Sequence, residues 1–439
     1  MTRQGMRMPT GNVHRKLTRH ALPWLMLLLT LVLGGCPEPT TVKQNSAARR
    51  SACAPGTFGA ATTFAYATTV DIAASPVAGT DTSFAPLTVP VPVDANGIVG
   101  IGLSIEGTDP AKKTDLKYID HGILWGANSC ITDPSGNSAP LSFNQVDIDG
   151  NGSEDDEYGM LFNYEAPAIF FPNNGDELTL PDGNWTFPVG AAFVSGGYIY
   201  PDVDTLTPHA YYKTPTATPT TLKVNLFVAQ GVGGIANTAG ILADPQIAGA
   251  VAVMDNVYGT QLGLNLTITP VFMPDPALAS LDTWPEVSGM LSAYPAAPAH
   301  DAVNLYLVND IPFVGVAGVV GLALGLPGPF GLDNTEASGV LATYFAGDTV
   351  GTDLGVTMAH EVGHYLGLFH TSQTNSNASR IIGHDPIADT VECSTAQLAG
   401  GLLNCPDKDN LMFPYVAQTP TPPVSPRQQT VIHLNPVVR

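Results

Sequence analysis

The sequence predicts an α+β chain in two parts, a β-sandwich-like domain over residues 53–217 followed by an α/β domain over residues 218–439. Three observations predict it. The chain has 439 residues, enough for more than one core. Up to about residue 217 the apolar residues alternate in short runs broken by turn residues, and hardly any run has helical periodicity. From Leu222 onward, alternating runs take turns with segments of 3.6-residue period, the pattern of strands connected by helices.

The chain opens on an address rather than on structure. Arg3, Arg7, Arg15, Lys16 and Arg19 form a basic leader without an acid, the apolar run Ala21 to Leu33 follows, and Leu33-Gly34-Gly35-Cys36 closes it. Residues 1–35 are assigned as a signal peptide and residues 36–52 as a polar tether. The closing tetrapeptide resembles a bacterial lipobox. That resemblance implies lipid attachment at Cys36 and, with Pro37 after it, sorting to the outer membrane of a Gram-negative cell envelope. A transmembrane anchor is the rival reading, but the 13-residue apolar run falls short of the roughly 20 residues a span requires.

Four cysteines remain beyond Cys36: Cys53, Cys130, Cys393 and Cys405. An even number in an exported chain reads as two disulfides, most simply Cys53 with Cys130 and Cys393 with Cys405, although the sequence leaves connectivity open. No C-x-x-C pair exists, which argues against a zinc ribbon or a thioredoxin-like site. The net charge is −21 before the basic leader is removed, so nucleic-acid binding is excluded as a function class. The acidity reads as a solvated surface rather than as a lure for cationic substrates.

Within residues 53–217, Leu180 to Val189 reads as a hairpin turn followed by a strand. Asp147-Ile148-Asp149-Gly150-Asn151-Gly152-Ser153-Glu154-Asp155 has the first half of a calcium loop, with oxygen ligands at Asp147, Asp149 and Asn151 and glycine at the sixth position. Its twelfth position is Tyr158 rather than Glu, so Asp155, Asp156 or Glu157 is left to close the shell. Ca2+ competes here with an ordinary acidic turn. Thr214 to Thr221, dense in Thr and Pro, is the best linker.

Beyond the linker, Leu222, Val224, Leu226 and Val228 alternate as a strand. Asp244-Pro245 opens a helix with Ile247, Val251, Met254 and Tyr258 on one face. Leu264, Leu266 and Ile268 make a second strand, and Val303, Leu305 and Leu307 a third. Phe313 to Leu326 is apolar and glycine-rich, too short for a membrane span, and reads as a loop and strand near a cleft. Leu354, Met358, Val362, Tyr365 and Leu366 then form the apolar stripe of one more helix, with His360 and His364 on the opposite face.

That last helix carries His360-Glu361-Val362-Gly363-His364-Tyr365-Leu366-Gly367-Leu368-Phe369-His370, the spacing HExxHxxGxxH. Histidines four apart share a helix face, and Glu361 stands where it reaches a metal-bound water. On a continuous helix His370 would lie about 240° round from His364, so the helix must end between them. Gly367 supplies the end by taking a left-handed conformation. With 10 His, 45 Gly and 38 acids, the five fixed positions coincide by accident about 5 times in 100,000 such chains. His360, His364 and His370 are therefore expected to hold Zn2+, with Glu361 as general base in peptide hydrolysis. His121, His209, His300, His384 and His433 have no ligand spacing.

The strand–helix–strand order ending in this motif resembles the metzincin clan of zinc peptidases. Within it, His370-Thr371, Asp389-Thr390, Cys393, Cys405 and Asn410-Leu411-Met412 resemble the pappalysin type, over roughly Leu222 to Arg439. The resemblance implies that Met412 packs beneath the zinc histidines without binding metal. Relatives hold a calcium site near this segment, which makes Asp385 and Asp389 candidates, although Asp389-Thr390-Val391 departs from the usual Asp-Thr-Pro. Met412-Phe413-Pro414-Tyr415 departs from the usual Met-x-Tyr by one residue, so Tyr415 is not assigned to catalysis. The function expected is a lipid-anchored, monomeric zinc endopeptidase acting on protein or peptide substrates. The alternative is a non-catalytic surface binding or adhesion lipoprotein on the same scaffold, which would have no use for Glu361.

Overall fold

Strands β1 (Tyr66–Ile72), β2 (Ala85–Val91), β3 (Gly100–Gly107), β4 (Cys130–Thr132), β5 (Ser138–Pro140), β6 (Ala168–Phe171), β7 (Gly183–Val189) and β8 (Thr205–Thr216) form two antiparallel sheets. One has the order β1-β8-β3-β6 and the other β2-β7-β4-β5. Because side chains alternate across a strand, each strand of the first sheet serves two cores. Ile101, Leu103 and Ile105 of β3, with Ile169 and Phe171 of β6, face Leu87, Val89, Trp185 and Phe187 of the second sheet. Ala168 and Phe170 of β6 and Tyr211 of β8 face the other way and join the core of the C-terminal half.

These features come from a computed structural model that describes residues 59–60, 64–73, 75, 77–78, 85–107, 130–140, 168–189, 191–195, 198–202, 205–294, 301–312, 320–330, 339–345, 347–374, 381–415 and 419–439. The leader, Cys36, Cys53 and the calcium loop Asp147 to Asp155 lie outside the described residues. So does the Cys130 side chain, and with it the Cys53–Cys130 pairing.

The strand expected after Leu180 is β7, but the hairpin is not formed. β7 pairs with β2, Trp185 opposite Val89 and Phe187 opposite Leu87, while Leu178–Thr179 pairs with Gly59–Ala60. Burial fits this pairing, since Trp185 and Phe187 are each 1% exposed and share one core with Leu87 and Val89 of β2. Within the expected linker, Thr214 and Thr216 still belong to β8, and Thr221 already opens the next strand.

The C-terminal half is built on β9 (Thr221–Ala229), β10 (Asn265–Met273), β11 (Ala302–Val308), β12 (Gly321–Ala323) and β13 (Val340–Thr343), in the order β10-β9-β11-β13-β12. The first four in that order run parallel, and β12 is an antiparallel edge. β9, β11 and β13 are buried almost end to end, as central parallel strands are, whereas β10 alternates at the edge. Short helix α1 (Thr238–Ile241) precedes α2 (Pro245–Met254). Asp244 caps α2 by accepting from the amides of Gln246 and Ile247, both at 3.0 Å, with Pro245 in the first turn. α2 runs on as a π-helical turn, Asp255–Gln261. The elements not anticipated include α3 (Trp284–Ala293), closed by a Thr283–Glu286 capping box, and β13.

Candidate metal centre

Helix α4 (Thr352–Tyr365) starts on a buried carboxylate. Asp348 accepts from the amides of Gly351, Thr352 and Leu354 at 2.8, 3.1 and 2.9 Å, satisfying donors that a helix start leaves open. The sequence pattern predicts one packed face and one cleft face, yet α4 is buried on both from Leu354 to Tyr365. The edge strand β12 lies against the helix at Glu361, and Tyr258 donates to the Ala359 carbonyl at 2.7 Å.

The helix ends where the spacing requires. Gly367 has φ +101°, its amide bonds the His364 carbonyl at 2.8 Å, and the Leu368 amide bonds the Gly363 carbonyl at 3.0 Å. The reversed chain brings His370 back under the helix. His370 Nε2 lies 3.2 Å from His360 Nε2 and 3.0 Å from His364 Nε2. A tetrahedral ion with bonds of about 2.0–2.1 Å to nitrogen separates its ligand atoms by about 3.3 Å, so this donor set fits zinc.

The far nitrogens explain why the near ones are free to bind. Nδ1 of His360 donates to the Leu411 carbonyl at 2.7 Å, Nδ1 of His364 to the Leu368 carbonyl at 2.7 Å, and Nδ1 of His370 to Gln373 Oε1 at 2.6 Å. Each acceptor holds the proton on Nδ1 and leaves a lone pair on Nε2. Burial keeps all three rings neutral: His360 is lowered to about 4, His370 to about 3, and His364 well below the ordinary histidine value, with neighbouring imidazoles adding to the effect for the latter two.

Glu361 is 3% exposed, and burial raises its carboxyl to about 8 against the opposing hydrogen bond from the Ala323 amide. Its Oε1 presses on β12, where a Cβ on Gly321 would sit 2.5 Å away, and its Oε2 is buried with no protein partner among the described residues. Met412 lies beneath the helix, with its Sδ 2.7 Å from the place a Cβ on Gly363 would occupy, so the small residue inside the motif makes room for the methionine.

The structure also places the supporting residues. The Cys393–Cys405 disulfide is formed, with an S–S distance of 1.98 Å, as the simplest pairing anticipates. Buried Asp407 accepts from the hydroxyls of Thr371 and Ser372 at 2.7 and 2.6 Å, and Ser372 Oγ accepts from the Cys393 amide at 2.8 Å. The Tyr415 ring packs on Phe413 in the cluster around the disulfide. Asp389 caps the last helix, α6 (Pro426–Leu434), which follows the short α5 (Thr395–Leu398), by accepting from Ser425 Oγ and the Arg427 amide. Asp385 accepts from Thr390 Oγ1 and the Ile387 amide. Gln373, Asp407 and Asp348 escaped the sequence reading. Gln373 follows the motif by three residues and was open to notice, whereas the carbonyls of Leu411 and Leu368 carry no sequence signal at all.

Residues 298–417 match the family model of peptidases described as pregnancy-associated plasma protein-A. This match bears out the metzincin-like, pappalysin-type resemblance and supports a metallopeptidase over the residues matched. No curated protein matches the chain. Among solved structures, metalloproteinase-II from Bacteroides fragilis shares 13% identity at a TM-score of 0.31, covering 50% of this chain and 54% of its own. The chain thus spans about half the length of that protein. A family two carbohydrate esterase from Clostridium thermocellum, with 9% identity over 54% of this chain and 66% of its own, reaches a TM-score of only 0.15. At these scores neither likeness defines the fold.

Proposed function

We propose that the protein is a zinc endopeptidase of the metzincin type, held on the cell envelope by a lipid at Cys36. One observation carries the catalytic reading: three Nε2 atoms converge while each of their Nδ1 atoms is committed to an acceptor, beside a buried glutamate with one oxygen unpartnered among the described residues. A zinc ion held by His360, His364 and His370 supplies a Lewis acid for the scissile carbonyl and an acidified water. The protein's own contribution is proton handling. Glu361 Oε2 takes the proton of the attacking water and returns it to the leaving amine nitrogen. Met412 packs against the helix at Gly363, between the two helical histidines, and the helix keeps Glu361 one residue from the first ligand.

Two antiparallel sheets around one core support the β-sandwich-like reading of residues 53–217. The lipid anchor, the outer-membrane location and the monomeric state rest on the sequence, as does Ca2+ at Asp147, Asp149, Asn151 and Asp155.

The test is Glu361→Gln. Zinc content and folding should persist, because the carboxylate is not a ligand, while peptide cleavage at matched zinc occupancy falls on the order of 100-fold to 10,000-fold. Equal cleavage by the wild type and the variant would overturn the assignment. No cleavage of a broad peptide library by the zinc-loaded wild type would favour the binding-lipoprotein reading.

A further inference from the structure

Two of the three metal-facing imidazoles are oriented by backbone carbonyls, at Leu411 and Leu368, which no substitution removes. His370 differs, since its Nδ1 is 2.6 Å from the side-chain oxygen of Gln373. It is also the ligand with the least local support. His360 and His364 stand on a buried helix, whereas His370 follows the turn at Gly367 and precedes a short hairpin, β14 (Ser372–Thr374) and β15 (Ile381–His384). We propose that Gln373 is the positioning residue of the third metal ligand: its Oε1 takes the Nδ1 hydrogen of His370 and fixes the tautomer and ring plane in which Nε2 faces a divalent metal.

Proton counting supports the assignment. Nε2 of His370 must carry a lone pair to bind a cation, so Nδ1 must carry the hydrogen and needs an acceptor. The amide offers one only with Oε1 towards the ring. With Nε2 of Gln373 turned inward, the hydrogen would move to His370 Nε2, where it would face two other ring nitrogens at 3.0 and 3.2 Å and block the metal.

The backbone of Gln373 is held for this task from the neighbouring positions. Thr371 and Ser372 both donate to Asp407, the Thr371 amide bonds the Met412 carbonyl at 3.0 Å, and Gln373 is paired with Gly383 across the hairpin. Ser372 is tied in turn to the Cys393 amide, next to the disulfide. A buried carboxylate and a cross-linked loop thus fix the main chain, and Gln373 converts that rigidity into the orientation of one ring.

The inference rests on the metal-centre reading, and the experiment separates the two. Zinc affinity of the full mature chain is measured by competition with a chromogenic chelator for wild type, Gln373→Ala, Gln373→Glu and His364→Ala. The visible bands of the Co2+ forms and the denaturation midpoints of the metal-free forms are recorded alongside. Loss of an outer acceptor typically costs 10-fold to 100-fold in metal affinity, and that is the loss expected for Gln373→Ala, with altered Co2+ bands. Gln373→Glu keeps the acceptor and adds charge, so it should bind zinc at least as tightly as wild type and restore the bands. Metal-free stability should match wild type in both. Wild-type affinity in Gln373→Ala, or affinity in Gln373→Glu as weak as in Gln373→Ala, overturns the role of Gln373 and leaves the site intact. If Gln373→Ala fails to fold, Gln373→Glu decides alone, and weaker binding than wild type overturns the proposal. Wild-type binding no tighter than that of His364→Ala overturns the metal centre itself.

Discussion

The turn at Gly367 joins the candidate metal ligands to the N-terminal sheet, and Gly367→Ala should break that joint. Two costs are legible. At φ +101° a residue with a Cβ sits in a conformation that costs L-residues about 1–2 kcal/mol. The new Cβ would also stand 2.5 Å from Cε1 and 2.7 Å from Cζ of Phe170. Phe170 is 1% exposed and cannot swing into solvent, so overpacking adds about 1–3 kcal/mol. The total, about 2–5 kcal/mol, is a large share of the stability of an ordinary domain. Urea denaturation of the metal-free chain at constant pH measures it. A double-mutant cycle with Phe170→Leu separates the parts, because a smaller side chain relieves the clash and leaves the backbone strain. In that background Gly367→Ala should cost only about 1–2 kcal/mol, a coupling of about 1–3 kcal/mol. A cost below about 0.5 kcal/mol in wild type, or the same cost in both backgrounds, would refute the reasoning.

Two further predictions concern the rest of the chain. His433 of α6 is buried edge-on against Tyr66, and burial first, then nearby Lys213, lowers it to about 4 from 6.5. Its folded value is depressed, so stability present above pH 6.5 is lost as pH falls towards 4, by up to roughly 3 kcal/mol. The drop in urea midpoint between pH 7 and pH 4.5 should therefore be smaller in His433→Gln than in wild type, and equal drops would contradict it. At the other end of the chain, Cys36→Ser should abolish uptake of labelled fatty acid and membrane partitioning, whereas equal labelling of both proteins would rule out the lipid anchor.

What the sequence made legible follows from the range of each interaction. HExxHxxGxxH is local: helical geometry puts His360 and His364 on one face, and only a break at Gly367 lets His370 return, so three candidate ligands and their turn are written in neighbouring positions. The strands at Leu222, Leu264 and Val303 and the helix after Asp244 were legible because alternation and capping act within a few residues. β13 was not. Val340 to Thr343 is too short to show a period, and its strand character comes from pairing with β11, about 35 residues earlier. The same limit hid the true partner of β7, which is nearly 100 residues away in β2. Asp407 is likewise defined by hydroxyls at Thr371 and Ser372, which no local pattern connects to it.

The relation between the two halves was the least legible, because it depends on the second face of one sheet. A sandwich sheet is expected to bury one face and wet the other, and the alternation in β3 and β8 looks like that from sequence, whereas β6 is apolar at every position. Here the outer face is dry. A Cβ on Gly102 would meet Pro436 at 2.5 Å, Ser104 donates to the Phe330 carbonyl, and Tyr211 meets Phe330 edge-on at 5.3 Å. Lys213, fully buried and with its pKa pushed well below the ordinary lysine value by that burial, donates to Thr69 Oγ1 and to the carbonyls of Asn435 and Val438. Removing the N-terminal sheet would strip these partners from the C-terminal segment and uncover Phe330 and the turn at Gly367. Among the described residues, the sheet therefore acts as a floor under the turn that carries the candidate metal centre. Activity has to be sought in the whole mature chain, and loss of activity on truncation would report a collapsed floor before it reported anything about substrate.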